Sequence, residues 1–246
     1  MFTKSQSPLF DAVTSPASVS STLVARNGVM PVMHVQWRHC FGGDNFFGVL
    51  IEGQRLRPRL KTGTTPAFAE HDSAFTECLA GAYVRVGSDC AVLKAKAMFV
   101  QDGSELGLIS GYAVEEMAPV SHKQKYTPTR SVAAWVDLDL WPDQKWVPGG
   151  VVAFAKNLGA GKRLYVNPST GSPVVYGLGP VSGAASTIDI VFKVAPRLWI
   201  KRAVVEVGLE IDWTQARYGT IDEYGAVQNA VPVNNVRFQL SIFYKF

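Results

Sequence analysis

The chain has 246 residues, 47% hydrophobic and 18% charged, so it can bury a substantial core and is not an intrinsically disordered protein. Its net charge of +4 is localised: residues 1–61 hold seven basic groups against three acidic ones, and the remainder is balanced. No apolar run approaches the ~18–20 residues of a membrane helix, nothing near the N-terminus reads as a secretory signal, and the three cysteines (Cys40, Cys78, Cys90) lack the spacing of a disulfide framework.

Residues 1–28 are rich in Ser, Thr, Ala and Pro and are expected to form a flexible N-terminal arm; residues 29–246 are expected to fold as one domain. Patterning begins at MPVMHVQWRHCF, where Met33, Val35, Trp37, His39 and Phe41 alternate with more polar residues. GGDN then predicts a turn and FFGVLIEG a second strand. The basic RLRPRLKTGTTP follows, with Pro58 and Gly63 predicting a loop or edge path. AFTECLAGAYVRV suits either a short helix or a strand. CAVLKAKAMFV alternates again, as does SVAAWVDLDLW, with Val132, Ala134, Val136, Leu138 and Leu140 predicted inward and Trp135, Asp137, Asp139 and Trp141 outward. GVVAFAK, KRLYVN, TIDIVFKV and the long RLWIKRAVVEVGLEIDW are further strand candidates; in the last, Val205, Val207, Leu209, Ile211 and Trp213 share a face.

The chain closes on VRFQLSIFYKF, whose Val236, Phe238, Leu240, Ile242, Tyr244 and Phe246 form its most regular period-2 row. Helical periodicity is nearly absent, so the fold class predicted is all-β: an antiparallel two-sheet sandwich of about eight to nine strands.

Enzymatic chemistry is not predicted. GAGKR at 159–163 lacks the first glycine and the hydroxyl residue of a phosphate loop, since those positions hold Lys156 and Arg163. His34, His39, His71 and His122 have no metal-ligand spacing, and no nucleophile has an identifiable base. No cofactor is expected, with one reservation: Asp137, Asp139 and Asp143 cluster near a strand end and could hold a structural Ca²⁺ at an interface, against the plainer reading of a solvated face. Arg55, Arg57, Arg59 and Lys61 put four positive charges in seven residues; with Lys4 and Arg26 they are the candidates for non-sequence-specific contact with nucleic-acid phosphates. The aromatics Trp135, Trp141 and Trp146 are candidate subunit-interface anchors.

Taken together, the polar arm, the first strand MPVMHVQWRHCF, the long Gly/Pro/Ser loops, the long penultimate strand WIKRAVVEVGLEIDW and the terminal VRFQLSIFYKF resemble the single jelly-roll coat proteins of small icosahedral viruses. That resemblance implies a capsid subunit. It would self-assemble into an icosahedral shell around viral RNA or DNA, alone or with a second coat protein, without a membrane partner. The protein would be made in the host cytoplasm or nucleus and reside in the virion. Residues 1–30 depart from the arginine-rich arms of many such proteins, holding only Lys4 and Arg26. The alternative is a carbohydrate- or surface-binding β-sandwich of lectin or adhesin type. In a jelly roll the last strand would sit inside a sheet, paired with strands from much earlier in the chain, and deleting Leu240–Phe246 would abolish folding.

Overall fold

The computed structural model describes residues 28–58, 61–62, 69–70, 73–103, 108–176, 187–202 and 204–244. Among them the elements are all strands: β1 (Met30–Cys40), β2 (Phe46–Leu56), β3 (Lys61–Thr62), β4 (Ala69–Glu70), β5 (Phe75–Gly87), β6 (Ala91–Gln101), β7 (Tyr112–Met117), β8 (Gln124–Leu140), β9 (Trp146–Ala160), β10 (Val166–Asn167), β11 (Ser172–Pro173), β12 (Val175–Tyr176), β13 (Thr187–Arg202), β14 (Val205–Ile221) and β15 (Val227–Tyr244). The predicted all-β, antiparallel class holds. AFTECLAGAYVRV resolves as strand, because its partners on both sides, β2 and β6, are already extended and leave its backbone groups facing theirs.

The main sheet runs β1-β2-β5-β6-β8-β9-β13-β14-β15, with β7 branching from the first residues of β8 and β12 pairing with β7. Every long strand along this path pairs with its neighbours in sequence, so the connection is a meander. Two expectations are corrected by it. RLWIKRAVVEVGLEIDW is not one strand: the chain reverses between Arg202 and Val205, which lie in register opposite each other, and forms the β13–β14 hairpin. The last strand is not held between strands from earlier in the chain: among the described residues β15 pairs with β14 alone and its other edge is open, as is that of β1 at the far side.

The turns between β1 and β2, β5 and β6, β8 and β9, and β13 and β14 are short and lie at one end of the sheet. GGDN forms the first of them, with Gly42 and Gly43 at φ +63° and +56°, a region where a Cβ would be strained. The opposite end, or base, holds the longer connections. There β7 and β12 make a second layer, and Leu56, Phe75, Tyr112, Val114, Tyr126, Val174 and Tyr176 pack into the main core between layers. Tyr112 stacks on Tyr176 at 4.9 Å and meets Phe75 and Tyr126 at 5.2 and 5.7 Å between ring centroids. The β14–β15 turn is tied to this base. Ala160 donates its N–H to the Tyr224 carbonyl at 2.6 Å, and Gly159 at φ +66° brings the backbones so close that a Cβ would lie 2.5 Å from that oxygen.

Candidate functional site

Registers along the meander sort the side chains of nine strands onto two faces. On one face lie Val35 and Trp37 of β1, Val49 and Ile51 of β2, Ala82 and Val84 of β5, and Ala95 and Ala97 of β6. It continues through Ala134 and Val136 of β8, Val152 and Phe154 of β9, and Phe192 and Val194 of β13. Leu209 and Ile211 of β14, opposite Leu240 and Phe238 of β15, complete it. This face is apolar from edge to edge, and among the described residues no second layer covers it. Val136, Val152 and Leu209 are each 44–46% exposed, and Phe238 is 77% exposed. A contiguous apolar surface of this extent exceeds the few hundred Å² usual on a soluble monomer and marks an interaction surface.

The other face is polar and better sheltered. Ala195 is fully buried and Asp212 is only 7% exposed. The sheet therefore coils about its polar face. The predicted sense of β8 is reversed: Val136 and Leu138 are exposed, whereas Asp137 and Asp139 are turned toward the sheltered side and neutralised there. Arg197 of β13 reaches across β9 to them, donating from Nη2 to Asp137 and, at 2.7 Å, to Asp139, and from Nε to Asp139 at 3.2 Å. Burial alone would lower the Arg197 pKa, but the two carboxylates outweigh it and raise it. Gly149 of β9, between them, leaves the room: a Cβ there would lie 2.5 Å from the Asp139 carboxylate.

A second ion cluster crosses β13, β14 and β15. Lys193 Nζ and Arg237 Nη2 donate to Asp212 Oδ2 at 2.7 and 2.8 Å, and the Thr214 hydroxyl donates to Oδ1 at 2.9 Å. The Lys193 hydrogen bond, ahead of the opposing effect of burial, holds the Asp212 pKa below the usual carboxylate range. At the base, Lys125 and Lys162 both donate to Glu115 at 2.9–3.0 Å. Burial raises the Glu115 pKa, but these ammonium groups together bring it below its ordinary value. Sequence reading left out both Arg197 and Asp212. The signal was the period-2 row Lys193, Arg197, Glu210, Asp212 on a hairpin, but it shows only once the turn after Arg202 sets the register.

The predicted site residues fall in separate places. Arg55 is exposed at the lower end of β2, where it lines an open cleft of about 570 Å³ with Glu116, Lys123 and Lys125. Arg57 is half-buried, and its Nε has no hydrogen-bond partner. Lys61 lies in β3, in register with Glu70; its side chain, and Lys4, Arg26 and Arg59, lie outside the described residues, as does the arm through residue 27. Asp143 is in the β8–β9 turn, apart from the Arg197 cluster. A cation at Asp137 and Asp139 would have to displace that guanidinium. Trp135, Trp141 and Trp146 are all exposed but do not make one patch. Trp146 lies on the apolar face opposite Ile200, Trp135 on the polar face opposite Lys96, and Trp141 in the turn at φ +49°. Among the described residues, no group of three His, Cys, Asp or Glu is placed to hold a metal ion, and no helix is long and apolar enough to cross a membrane.

Compared with known protein families, with curated proteins and with solved structures, the chain matches none.

Proposed function

We propose that this chain is a self-associating structural subunit, of the coat-protein kind its patterning resembles, and that it works by assembly rather than by catalysis. The observation carrying this reading is the apolar face that spans nine strands and, among the described residues, is uncovered and ends in two open sheet edges. A second copy is the occupant that fits it. Two such faces packed about 10 Å apart would make a two-layer sandwich, with apolar rows facing apolar rows and the ion-paired polar faces turned away. In a shell, Arg55 at the basal cleft, with Lys123 and Lys125 beside it, would be the described basic groups nearest to nucleic-acid phosphates. Lys125 is already engaged by Glu115 and Glu116, so such contact is modest per subunit and gains from copy number.

A second reading follows from the same inversion of faces. An apolar face opposite a polar, ion-paired one, with short turns at one end and longer connections at the other, is also the arrangement of a bilayer-spanning barrel. Such a barrel tolerates no open edge. Both edge strands here run in the same direction, because eight antiparallel steps separate them. Closure of one chain would thus need a parallel β1–β15 seam, and an all-antiparallel barrel would need more than one copy. The coat reading requires self-association, and the membrane reading requires it unless one chain closes through the parallel seam.

The test is sedimentation velocity and electron microscopy of the purified full chain, with the 260/280 nm absorbance ratio and a liposome flotation arm. Closed particles support the coat reading, and particles rich in 260 nm absorbance extend it to packaging. Detergent-dependent oligomers that float with liposomes favour the membrane reading. A monomer at high concentration across salt and pH would sink the coat reading, and one that also fails to float with liposomes would sink both.

A further inference from the structure

We infer that β15 is the edge through which two copies of this chain join, antiparallel and about a two-fold axis at Leu240. The inference rests on the self-association reading and names its first contact, an edge-to-edge dimer whose joined apolar faces are then covered face to face by further copies.

β15 is 18 residues long, and its described side chains are exposed on both faces through Val231–Leu240. Natural edge strands are usually short, charged, kinked or covered, because unpaired N–H and C=O groups template pairing with another chain. The other open edge is shorter and more polar at its centre: β1 has 11 residues and carries His34, Gln36, Arg38 and His39. Each edge strand has a register irregularity near its lower end, between Met30 and Met33 in β1 and opposite Tyr218 and Thr220 in β15. Across Val236–Tyr244 the sole charged side chain is Arg237, and Asp212 of the same sheet neutralises it. Pro232, which cannot donate to a ladder, lies outside that stretch.

Direction decides the partner. Because β1 and β15 run the same way, a β15–β1 seam between copies would be parallel, whereas two β15 strands about a two-fold axis are antiparallel. Pairing matches in that arrangement. With Leu240 opposite its own copy, Phe238 faces Ile242 and Val236 faces Tyr244 on the apolar side. On the polar side Gln239 faces Ser241 and Arg237 faces Phe243, so no like charges meet. A centre one residue earlier sets Tyr244 against Asn234 and Phe243 against Asn235, which loses the aromatic pairings. The seam also extends the uncovered apolar face continuously from one copy into the next.

Cysteine cross-linking tests this in the full chain with Cys40, Cys78 and Cys90 replaced by serine. At an antiparallel two-fold, the central residue lies about 4.5–5.5 Å from its own copy, within disulfide range, and residues offset by two are ~7–8 Å apart and out of it. Under copper–phenanthroline oxidation, Leu240→Cys is expected to give at least ~tenfold more covalent dimer than Gln239→Cys. In a second variant, Leu240→Lys, the chain should keep its far-ultraviolet circular dichroism and lose its dimer in sedimentation. Oligomers that persist with equal or no cross-linking at both positions, or a folded Leu240→Lys that still dimerises, overturn the β15 seam and leave self-association standing. A monomer in the parent protein overturns both.

Discussion

The base of the molecule and its last strand use apolar side chains to opposite ends. At the base, Tyr112, Tyr126 and Tyr176 come from short or unremarkable segments, yet they are buried, with Tyr126, Tyr176 and Phe75 around Tyr112 at ring-centroid distances of 4.9–5.7 Å. Along β15, the most regular amphipathic row in the chain, Phe238 and Leu240 are 77% and 63% exposed. Hydrophobic patterning measures how strongly a strand seeks an apolar partner. Whether that partner lies within the same chain depends on a second layer, and β7 and β12 supply one only at the base. The difference locates the buried core at one end and, on the proposed reading, association at the other.

Two substitutions and a deletion would break or sharpen that division. The largest loss is expected from Tyr112→Ala, which opens a cavity in the middle of the basal aromatic cluster. By comparison with other aromatic-to-alanine changes it should cost about 3–5 kcal/mol in urea unfolding; a loss below about 1 kcal/mol would show that the base is not the core.

An intermediate loss, about 2 kcal/mol near neutral pH, is expected from Asp212→Asn, which leaves Lys193 and Arg237 without their shared carboxylate. The sign with pH follows from the lowered Asp212 pKa. Its contribution is complete above the ordinary carboxylate range and is lost as pH falls through the folded-state value. The stability gap between parent and variant should therefore narrow on going from pH 6 to pH 3. A gap that is constant or widens on acidification would mean that the Asp212 charge is not what the cluster uses.

The smallest loss is expected at β15. Deleting residues 240–246 removes, among the described residues, four exposed side chains and the half-buried Ser241, and makes part of β14 the new edge, so the monomer should keep its cooperative transition and lose less than the Asp212 variant does. Self-association should fall at least ~tenfold in sedimentation equilibrium. This reverses the expectation that such a deletion abolishes folding, and a truncated chain with no cooperative unfolding transition would restore it. The reversal has a plain cause: β15 contributes one hydrogen-bonded ladder, to β14, and no buried core side chain.

Much of the fold is legible in the residues themselves. Period-2 alternation in MPVMHVQWRHCF, CAVLKAKAMFV, SVAAWVDLDLW and VRFQLSIFYKF places each strand and the membership of each face, because the backbone pleat sends neighbouring side chains to opposite sides. GGDN marks its turn because glycines alone tolerate those backbone angles cheaply. The candidate site was legible only in part. Arg55 and the three tryptophans could be named from composition, but Lys123 and Lys125 join Arg55 only where β7 and β8 lie beside the end of β2. Asp137 and Asp139 read equally well as solvated carboxylates until β13 brings Arg197 across to them, 58 residues later in the chain.

By itself the sequence determined that this is an antiparallel all-β chain with strands of one apolar and one polar face, since local sterics and alternation need no knowledge of neighbours. Only the tertiary structure decided the meander, the direction of the two edge strands and which face is sheltered. Those depend on how each hairpin registers with the next, on ion pairs between residues far apart in sequence, and on a second layer that covers the base and, among the described residues, leaves the apolar face bare.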